Sequence, residues 1–130
     1  MNLSWEAASL NDSIWNRIIE FNDRWFPKWR ATEPIYYSNA LAGEVGEVCN
    51  AIKHMVGGGT RKVDEKTAVL DAAKEAVDVT IYLVLLLERL GYRGIDQFER
   101  VFEIKMKENE ERMKARAAQL FEKSNNTILP

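Results

Sequence analysis

Two pairs of acidic residues lie inside segments that otherwise have the apolar spacing of α-helices. Glu44 and Glu47 form one pair, and Glu75 and Asp78 form the other. Residues three apart project from one side of a helix, so two such helices side by side bring four carboxylates within reach of one another. Four half-buried negative charges repel and resist desolvation unless cations bind among them. The sequence therefore predicts paired helices that bind a metal, and oxygen ligands favour a hard ion such as Mg²⁺ or Mn²⁺.

The size and charge of the chain limit the classes of protein to consider. With 130 residues and 46% hydrophobic content, the chain can form one modest core, and no change in composition marks a second domain. We therefore expect a single domain over residues 1–130. The net charge of −2 disfavours a nucleic-acid partner. The most apolar run, from Val77 to Leu87, is too short to cross a bilayer, so we expect no membrane partner.

Cysteine content and the first residues bear on the compartment. The single cysteine, Cys49, has no partner for an internal disulfide bond. The stretch from Met1 to Leu10 lacks the basic and then apolar pattern of a secretion signal. We therefore expect a cytoplasmic protein.

The apolar spacing predicts helices throughout and no strand, which makes the fold class all-α, a bundle of four to five helices. The first helix should begin at a cap, Asn11 or Asp12, and end near Phe26, so that residues 1–37 form this helix and a loop. The other helices are expected from about Ser38 to Met55, from a cap at Asp64 to Leu90 before Gly91, and from about Asp96 to Phe121. Residues 122–130 are expected to be a frayed tail.

The faces of these helices predict which side chains meet. The core stripe of the second helix is expected to be Leu41, Val45, Val48 and Ile52, with Glu44 and Glu47 at its edge. One face of the third helix carries Asp71, Glu75, Asp78 and Tyr82, of which Asp71 either takes part in the metal site or only caps, pairs or orients. Apolar residues away from that face need cover, which predicts a homo-dimer or homo-tetramer; they are Val77, Ile81, Val84 and Leu85.

The fourth helix carries three residues that suit an anion. Lys105, Asn109 and Arg112 align on one face, and two cations with an amide would bind phosphate well. The same three residues also fit a solvated face with ion pairs to Glu108 or Glu111. The stretch from Gly57 to Lys62 fits a linker better than a phosphate loop, because it lacks the required glycine and lysine spacing and a preceding strand.

The histidine and the aromatic residues have structural interpretations. His54 is the only histidine, and one imidazole does not make a histidine-rich zinc or di-iron site, so we expect it at the surface or beside the metal ligands. Four aromatic residues of the N-terminal part fit a core or a subunit interface better than a base-stacking platform. They are Trp15, Trp25, Phe26 and Trp29.

The order and spacing of these motifs resemble a known family. The matching residues are Glu44, Glu47, Glu75, Asp78, Tyr82, Gly91, Lys105, Asn109 and Arg112. They resemble the all-α nucleotide pyrophosphohydrolases of the MazG type, over about Leu41 to Met113. The first forty residues are less diagnostic.

The resemblance implies a reaction and a set of site residues. Proteins of this family hydrolyse ribo- and deoxyribonucleoside triphosphates to monophosphate and pyrophosphate with Mg²⁺, for which Mn²⁺ would substitute, and they assemble as dimers or dimers of dimers. It implies four metal ligands, Glu44, Glu47, Glu75 and Asp78, and three phosphate contacts, Lys105, Asn109 and Arg112. A metal-activated water would attack the α-phosphate, and we expect Glu47 to accept its proton.

The base contacts are predicted from the first helix and from Tyr82. Trp25, Tyr82 and Asn16 would form an apolar slot with a polar group, if the first helix packs over the acidic site. A neighbouring acid, Asp12 or Glu20, would suit the donor edge of guanine, so purines are favoured and pyrimidines stay open.

Three other functions fit parts of the pattern. One is hydrolysis of phosphoribosyl-ATP by similar acidic helices. Another is a helical interaction module without catalysis, in which the acids only bind metal. The third is a di-metal oxidase, which the missing histidine ligands disfavour.

Overall fold

The structure, a computed structural model, describes residues 13–55 and 64–126. Within these two ranges the chain forms four α-helices, one 3₁₀-helix and no strand, so the all-α prediction is confirmed. The α-helices are α1 (Ile14–Trp25), α2 (Pro34–Met55), α3 (Glu65–Arg89) and α4 (Ile95–Asn126), and the 3₁₀-helix Pro27–Ala31 links α1 to α2. None of the helices in the described ranges has the length and apolar content needed to span a membrane.

The chain divides into two compact units, one up to Gly94 and the other from Ile95 onward. The first unit contains α1, the 3₁₀-helix, α2 and α3, and α4 forms the second. The expectation of one domain over the whole chain stays a prediction.

Local chemistry sets both ends of α3 as predicted. The Asp64 carboxylate caps the helix, since its Oδ1 accepts the backbone N–H of Thr67 at 3.0 Å. At the other end the helix stops at Arg89, and Gly91 adopts a positive φ of 96°. This left-handed conformation costs glycine little and lets the following N–H groups bond back to the last turn.

Two helix starts differ from the prediction. The first helix begins at Ile14 and is capped by Ser13, whose Oγ accepts the N–H of Asn16 at 3.2 Å. The expected caps, Asn11 and Asp12, lie outside the described residues. The second helix begins at Pro34 rather than near Ser38. Proline suits the first turn because its fixed φ is helical and its missing N–H would have had no partner there.

The end of α4 also differs from the prediction. The helix continues to Asn126, so residues 122–126, expected to be frayed, are helical. Glu122 and Lys123 have good helix propensity, and no glycine or proline interrupts the segment before position 130. The rest of the expected tail, residues 127–130, and the predicted linker from Gly57 to Lys62 lie outside the described residues.

The helices α2 and α3 pack against each other as an antiparallel pair. Near the start of α2, the rings of Tyr37 and Tyr82 have centroids 6.5 Å apart. Near its end, Ala51 and Ala68 line the same cleft. Residues later in α2 therefore lie beside residues earlier in α3. The acidic residues of both helices lie between these two points.

The inward face of α2 is rotated from the predicted stripe. Side chains that are buried or half-buried on this face are Tyr37, Leu41, Glu44, Val48 and Ala51. Val45 and Ile52, which were predicted to face the core, are 46% and 48% exposed. Both faces share Leu41 and Val48, so hydrophobic spacing alone does not distinguish them, and the face that contacts α3 includes Glu44.

The core of the first unit contains side chains from all its helices. The buried apolar residues are Trp15, Ile18, Trp29, Tyr37, Ala68, Val84 and Leu85. Val84 and Leu85 are thus covered within the unit, and the expectation that they need a partner subunit is wrong. Val77, by contrast, is 57% exposed.

Candidate metal and nucleotide site

Three of the four predicted metal ligands meet between α2 and α3. The carboxylate oxygens of Glu44, Glu75 and Asp78 all lie within 4.8 Å of one another. Glu44 comes from α2, and the other two come from successive turns of α3. Glu44 and Glu75 are half-buried and Asp78 is exposed. The antiparallel packing of the helices therefore forms a cluster of three carboxylates, called the acidic trio below.

Burial and neighbouring negative charge act on Glu44 of the trio. The pKa of Glu44 is raised above its ordinary value of 4.5, first because burial removes water and then because Asp78, Glu75 and Glu47 are nearby negative charges. Both causes penalise the carboxylate relative to the acid. A divalent ion would reverse the balance, because it attracts each carboxylate and offsets their mutual repulsion.

The fourth predicted ligand, Glu47, lies one turn further along α2, outside the trio. It lines a cleft of about 460 Å³ together with Glu75 and Asp71, which is exposed. Glu75 therefore belongs both to the trio and to this cleft. The arrangement places Glu47 beside the candidate metal site, where the sequence predicted a proton acceptor.

The cleft beside the trio also contains the only histidine. His54 lines it, and its Nδ1 is buried without a hydrogen-bond partner among the described residues. Asn50 lines the same cleft. The expectation that His54 lies beside the predicted ligands agrees with this position.

On the other side of the trio, a pocket of about 640 Å³ is rich in aromatic residues. Asp78 of the trio lines it, as do the predicted base contacts Trp25 and Tyr82. We call it the aromatic pocket. Its other lining residues include Phe21, Asn22, Phe26, Lys28, Trp29, Tyr36 and Tyr37. The pocket therefore combines aromatic rings with one carboxylate of the trio.

The aromatic residues of this region divide into a buried and an exposed group. Trp15 and Trp29 are each 4% exposed, in agreement with the expected core role. Trp25 and Phe26 are 55% and 59% exposed, so they do not belong to the core of the first unit. Exposed rings at a pocket rim are available to stack on a ligand.

Hydrogen bonds fix the inner wall of the aromatic pocket. The indole N–H of Trp29 donates to Asp23 Oδ1 at 2.7 Å, and the guanidinium of Arg30 donates to both oxygens of Asp23 at 2.9 Å. These hydrogen bonds, Arg30 first and Trp29 second, lower the pKa of Asp23 below its ordinary value of 3.8. The Tyr37 hydroxyl donates to the Trp29 carbonyl at 3.0 Å. The wall is therefore preorganised.

Tyr82 lies between the aromatic pocket and the trio. Its pKa is raised above 10.0, first by burial and then by Tyr36, Glu44, Asp78 and Tyr37. The hydroxyl therefore keeps its proton at neutral pH and can donate a hydrogen bond to a ligand.

The predicted polar base contact, Asn16, is exposed and is not among the residues that line the aromatic pocket. Asn22 lines it instead and is only 6% exposed. Asn22 is not among the predicted site residues, although it shares the inward face of α1 with Trp15 and Ile18 at a helical spacing. A buried amide in an otherwise apolar stripe is the signal that could have identified it.

The three predicted phosphate contacts lie on α4, the second unit. Lys105 Nζ lies 3.4 Å from Glu108 Oε2, and Arg112 donates to Asn109 Oδ1 at 3.2 Å. Lys105 and Arg112 are exposed. These contacts within the helix match the solvated face that was the alternative interpretation, and the phosphate role stays a prediction.

In comparisons with known proteins, no family model, no curated protein and no solved structure matches the chain.

Proposed function

We propose that this protein is a Mg²⁺-dependent nucleotide pyrophosphohydrolase of the MazG type, which converts nucleoside triphosphates to monophosphate and pyrophosphate. The observation that carries the proposal is the acidic trio lying directly beside the aromatic pocket, with Asp78 shared by both. The acidic trio suits the metal ion that accompanies a polyphosphate, and the aromatic pocket suits a nucleobase.

The donor set of the trio fits a hard divalent cation. Its three ligands are all carboxylates, with no sulfur and no imidazole, which suits Mg²⁺ or Mn²⁺ better than a softer ion. The raised pKa of Glu44 supports the same conclusion, because the cluster gains free energy when a cation compensates its charge. When bound, the metal would neutralise phosphate charge and make a water more acidic.

The residues of the chain then have separate tasks. Glu44, Glu75 and Asp78 would hold the cation, and the triphosphate would be bound where the trio meets the aromatic pocket. Glu47, in the adjoining cleft, would accept the proton of the attacking water. Trp25 and Tyr82 would contact the base. The phosphate contacts that the resemblance implies on α4, Lys105, Asn109 and Arg112, stay a prediction.

We further propose that the protein acts as a homo-dimer or homo-tetramer. Several large apolar side chains of α1 and α3 remain exposed in the first unit, among them Ile14 at 67%, Phe21 at 40% and Val77 at 57%. Exposed apolar residues that line a common groove favour burial in an assembly. Light scattering at micromolar concentration should give an even number of subunits, and a monomer would contradict this.

Pyrophosphate release is the direct test of the proposed reaction. The purified full chain should release pyrophosphate, and not inorganic phosphate, from some of the eight common ribo- and deoxyribonucleoside triphosphates in the presence of Mg²⁺. Chelation should stop the reaction. Activity on phosphoribosyl-ATP alone would favour the narrower enzyme, and metal binding with no turnover of any substrate would favour an interaction module.

Matched variants connect the reaction to the trio. Glu44→Gln, Glu75→Gln and Asp78→Asn should each lower kcat/KM by at least about 100-fold, because each removes one charged ligand of the cation. Glu103→Gln changes an exposed acid of α4 to which no site role is assigned and should have no effect. Circular dichroism should show the same helix content in all four variants. Full activity in Glu44→Gln and Asp78→Asn would overturn the mechanism.

A further inference from the structure

Asn22 is a buried polar residue inside an apolar environment. It is 6% exposed and is the buried polar residue of the described core, where its neighbours on the same face of α1 are Trp15 and Ile18. A leucine or methionine of similar size would bury without the cost of removing an amide from water. An amide retained at such a position therefore calls for a use of its hydrogen-bonding groups.

The Asn22 amide makes one hydrogen bond within the described residues. Its Nδ2 donates to the Ile18 carbonyl at 2.9 Å, within the same helix. A side-chain amide carries two N–H donors and one carbonyl oxygen, so this bond fixes the orientation of the group and leaves one N–H and Oδ1 for a further partner. The group is thereby held in place before any ligand arrives, which lowers the entropic cost of binding.

The position of Asn22 identifies the ligand group that it would meet. Asn22 lines the aromatic pocket with Trp25 and Tyr82, and this pocket extends to Asp78 of the trio. It also borders a smaller apolar groove between α1 and α3, which does not reach the trio. A base stacked among the aromatic rings would present its edge to the polar side chains of the pocket. An amide binds such an edge well, because it donates and accepts at adjacent atoms.

We propose that Asn22 is the residue that reads the hydrogen-bonding edge of the nucleobase. This inference rests on the proposed function, since it takes the aromatic pocket as the base slot of a nucleotide site. The proposed polar base contact is therefore Asn22, whose amide is buried and oriented, and not the exposed Asn16 predicted from the sequence.

Binding of reaction products tests the inference without requiring turnover. Isothermal titration with Mg²⁺ present would measure the Kd of the four nucleoside 5′-monophosphates and of ribose 5-phosphate, which has no base. In Asn22→Leu, the affinity for the preferred monophosphate relative to ribose 5-phosphate should fall about 10- to 100-fold. A purely structural role would change both affinities together and leave this ratio intact, which would overturn the proposal.

A second variant tests for a change in base preference rather than a loss of affinity. Asn22→Asp offers acceptors only, and guanine alone among the four bases has two adjacent donors on its Watson–Crick edge. The affinity for GMP relative to UMP should therefore rise about 10-fold or more. Thermal melts would show whether each variant is folded. An unchanged GMP to UMP ratio in a folded Asn22→Asp protein would contradict base reading by this residue.

The outcomes separate this inference from the proposed reaction. Base-selective binding that depends on Asn22, without pyrophosphate release, would support Asn22 and overturn the hydrolase. Pyrophosphate release with a base preference that is lost in Asn16→Leu, and kept in Asn22→Leu, would support the hydrolase and assign base reading to the exposed amide. Absence of binding to every monophosphate would overturn base reading by Asn22, whereas absence of pyrophosphate release from every triphosphate would overturn the hydrolase.

Discussion

Glu88 of α3 accepts the indole N–H of Trp15 of α1 at 2.6 Å, and the same oxygen accepts the backbone N–H of Gly94 at 2.9 Å. One carboxylate oxygen thus connects the first helix to the turn that follows the third. Gly94 has a positive φ of 83°, so this turn is a conformation that other residues rarely adopt. The bond fixes α1 against α3, and with it the position of Asn22 and Trp25 beside the aromatic pocket.

Replacing Glu88 should therefore destabilise the first unit. Glu88→Leu removes the acceptor of a part-buried indole N–H and of a backbone N–H, which should cost about 1–3 kcal/mol of unfolding free energy. Glu88→Gln keeps an oxygen acceptor and should cost less. Urea unfolding followed by tryptophan fluorescence measures both. Glu20→Leu, at an exposed position of α1, is the control and should change stability by no more than about 0.5 kcal/mol. Equal stability of Glu88→Leu and the control would contradict the role of this contact.

The raised pKa of Glu44 predicts how metal and pH act together. In the folded protein this group holds its proton more tightly than in the unfolded chain, so without metal it lowers stability as the pH rises from its ordinary pKa of 4.5 through the raised value. Mg²⁺ or Mn²⁺ should therefore raise the melting temperature more at neutral pH than near the ordinary pKa of the carboxyl. In Glu44→Gln this pH dependence of the metal effect should shrink, whereas Glu20→Gln should behave as wild type. A metal effect independent of pH in the wild-type protein would argue against cation binding at the trio.

Two tryptophans that line the aromatic pocket, Trp25 and Trp29, should behave differently. Trp25 is 55% exposed, so Trp25→Ala should weaken binding of nucleoside monophosphates by about 1–3 kcal/mol through lost stacking while leaving ribose 5-phosphate binding unchanged. Trp29 is 4% exposed, so Trp29→Ala should instead destabilise the fold by about 3–5 kcal/mol. Calorimetry and urea unfolding separate the two effects. Equal binding losses for both types of ligand in Trp25→Ala would exclude a stacking role.

The carboxylate of Asp23 should stabilise the pocket wall in a manner that depends on pH. Its pKa is lowered by hydrogen bonds from Arg30 and Trp29, so its contribution to stability is present above its ordinary pKa of 3.8 and is lost as the pH falls through the lowered value. Asp23→Asn should reduce the free energy of unfolding at neutral pH. The difference in unfolding free energy between neutral and acidic pH should therefore become smaller. The side chain is 45% exposed, so the effect should be small. Urea unfolding at several pH values would measure it, and identical profiles for both proteins would contradict the prediction.

The sequence predicted best the features that depend on neighbouring residues. The cap at Asp64 and the stop before Gly91 require only a few consecutive side chains, and both occur as predicted. The spacing of Glu75 and Asp78 likewise places both carboxylates on one side of α3. The start of α2 differs from the prediction because Pro34 signals a loop, although the backbone geometry of proline also suits a first helical turn.

Features that depend on the rotation of a helix about its axis were less predictable. On α2, the face with Val45 and the face with Glu44 overlap, and only contact with α3 selects between them. On α1, Asn16 and Asn22 are both amides, and the packing of Trp15 and Ile18 decides that Asn22 is buried. These choices depend on contacts between distant parts of the chain, which periodicity does not encode.

Two alanines, one late in α2 and one early in α3, affect the spacing of the acidic trio. Ala51 and Ala68 line the cleft there, and Ala68 is 5% exposed, so a bulkier side chain at position 68 would have to push α2 and α3 apart. Glu75 follows Ala68 by two helical turns. Because a helix transmits displacement along its length, the gap between the Glu44 and Glu75 oxygens would widen as well. The spacing of the three carboxylates is therefore governed in part by two methyl groups that lie outside the trio.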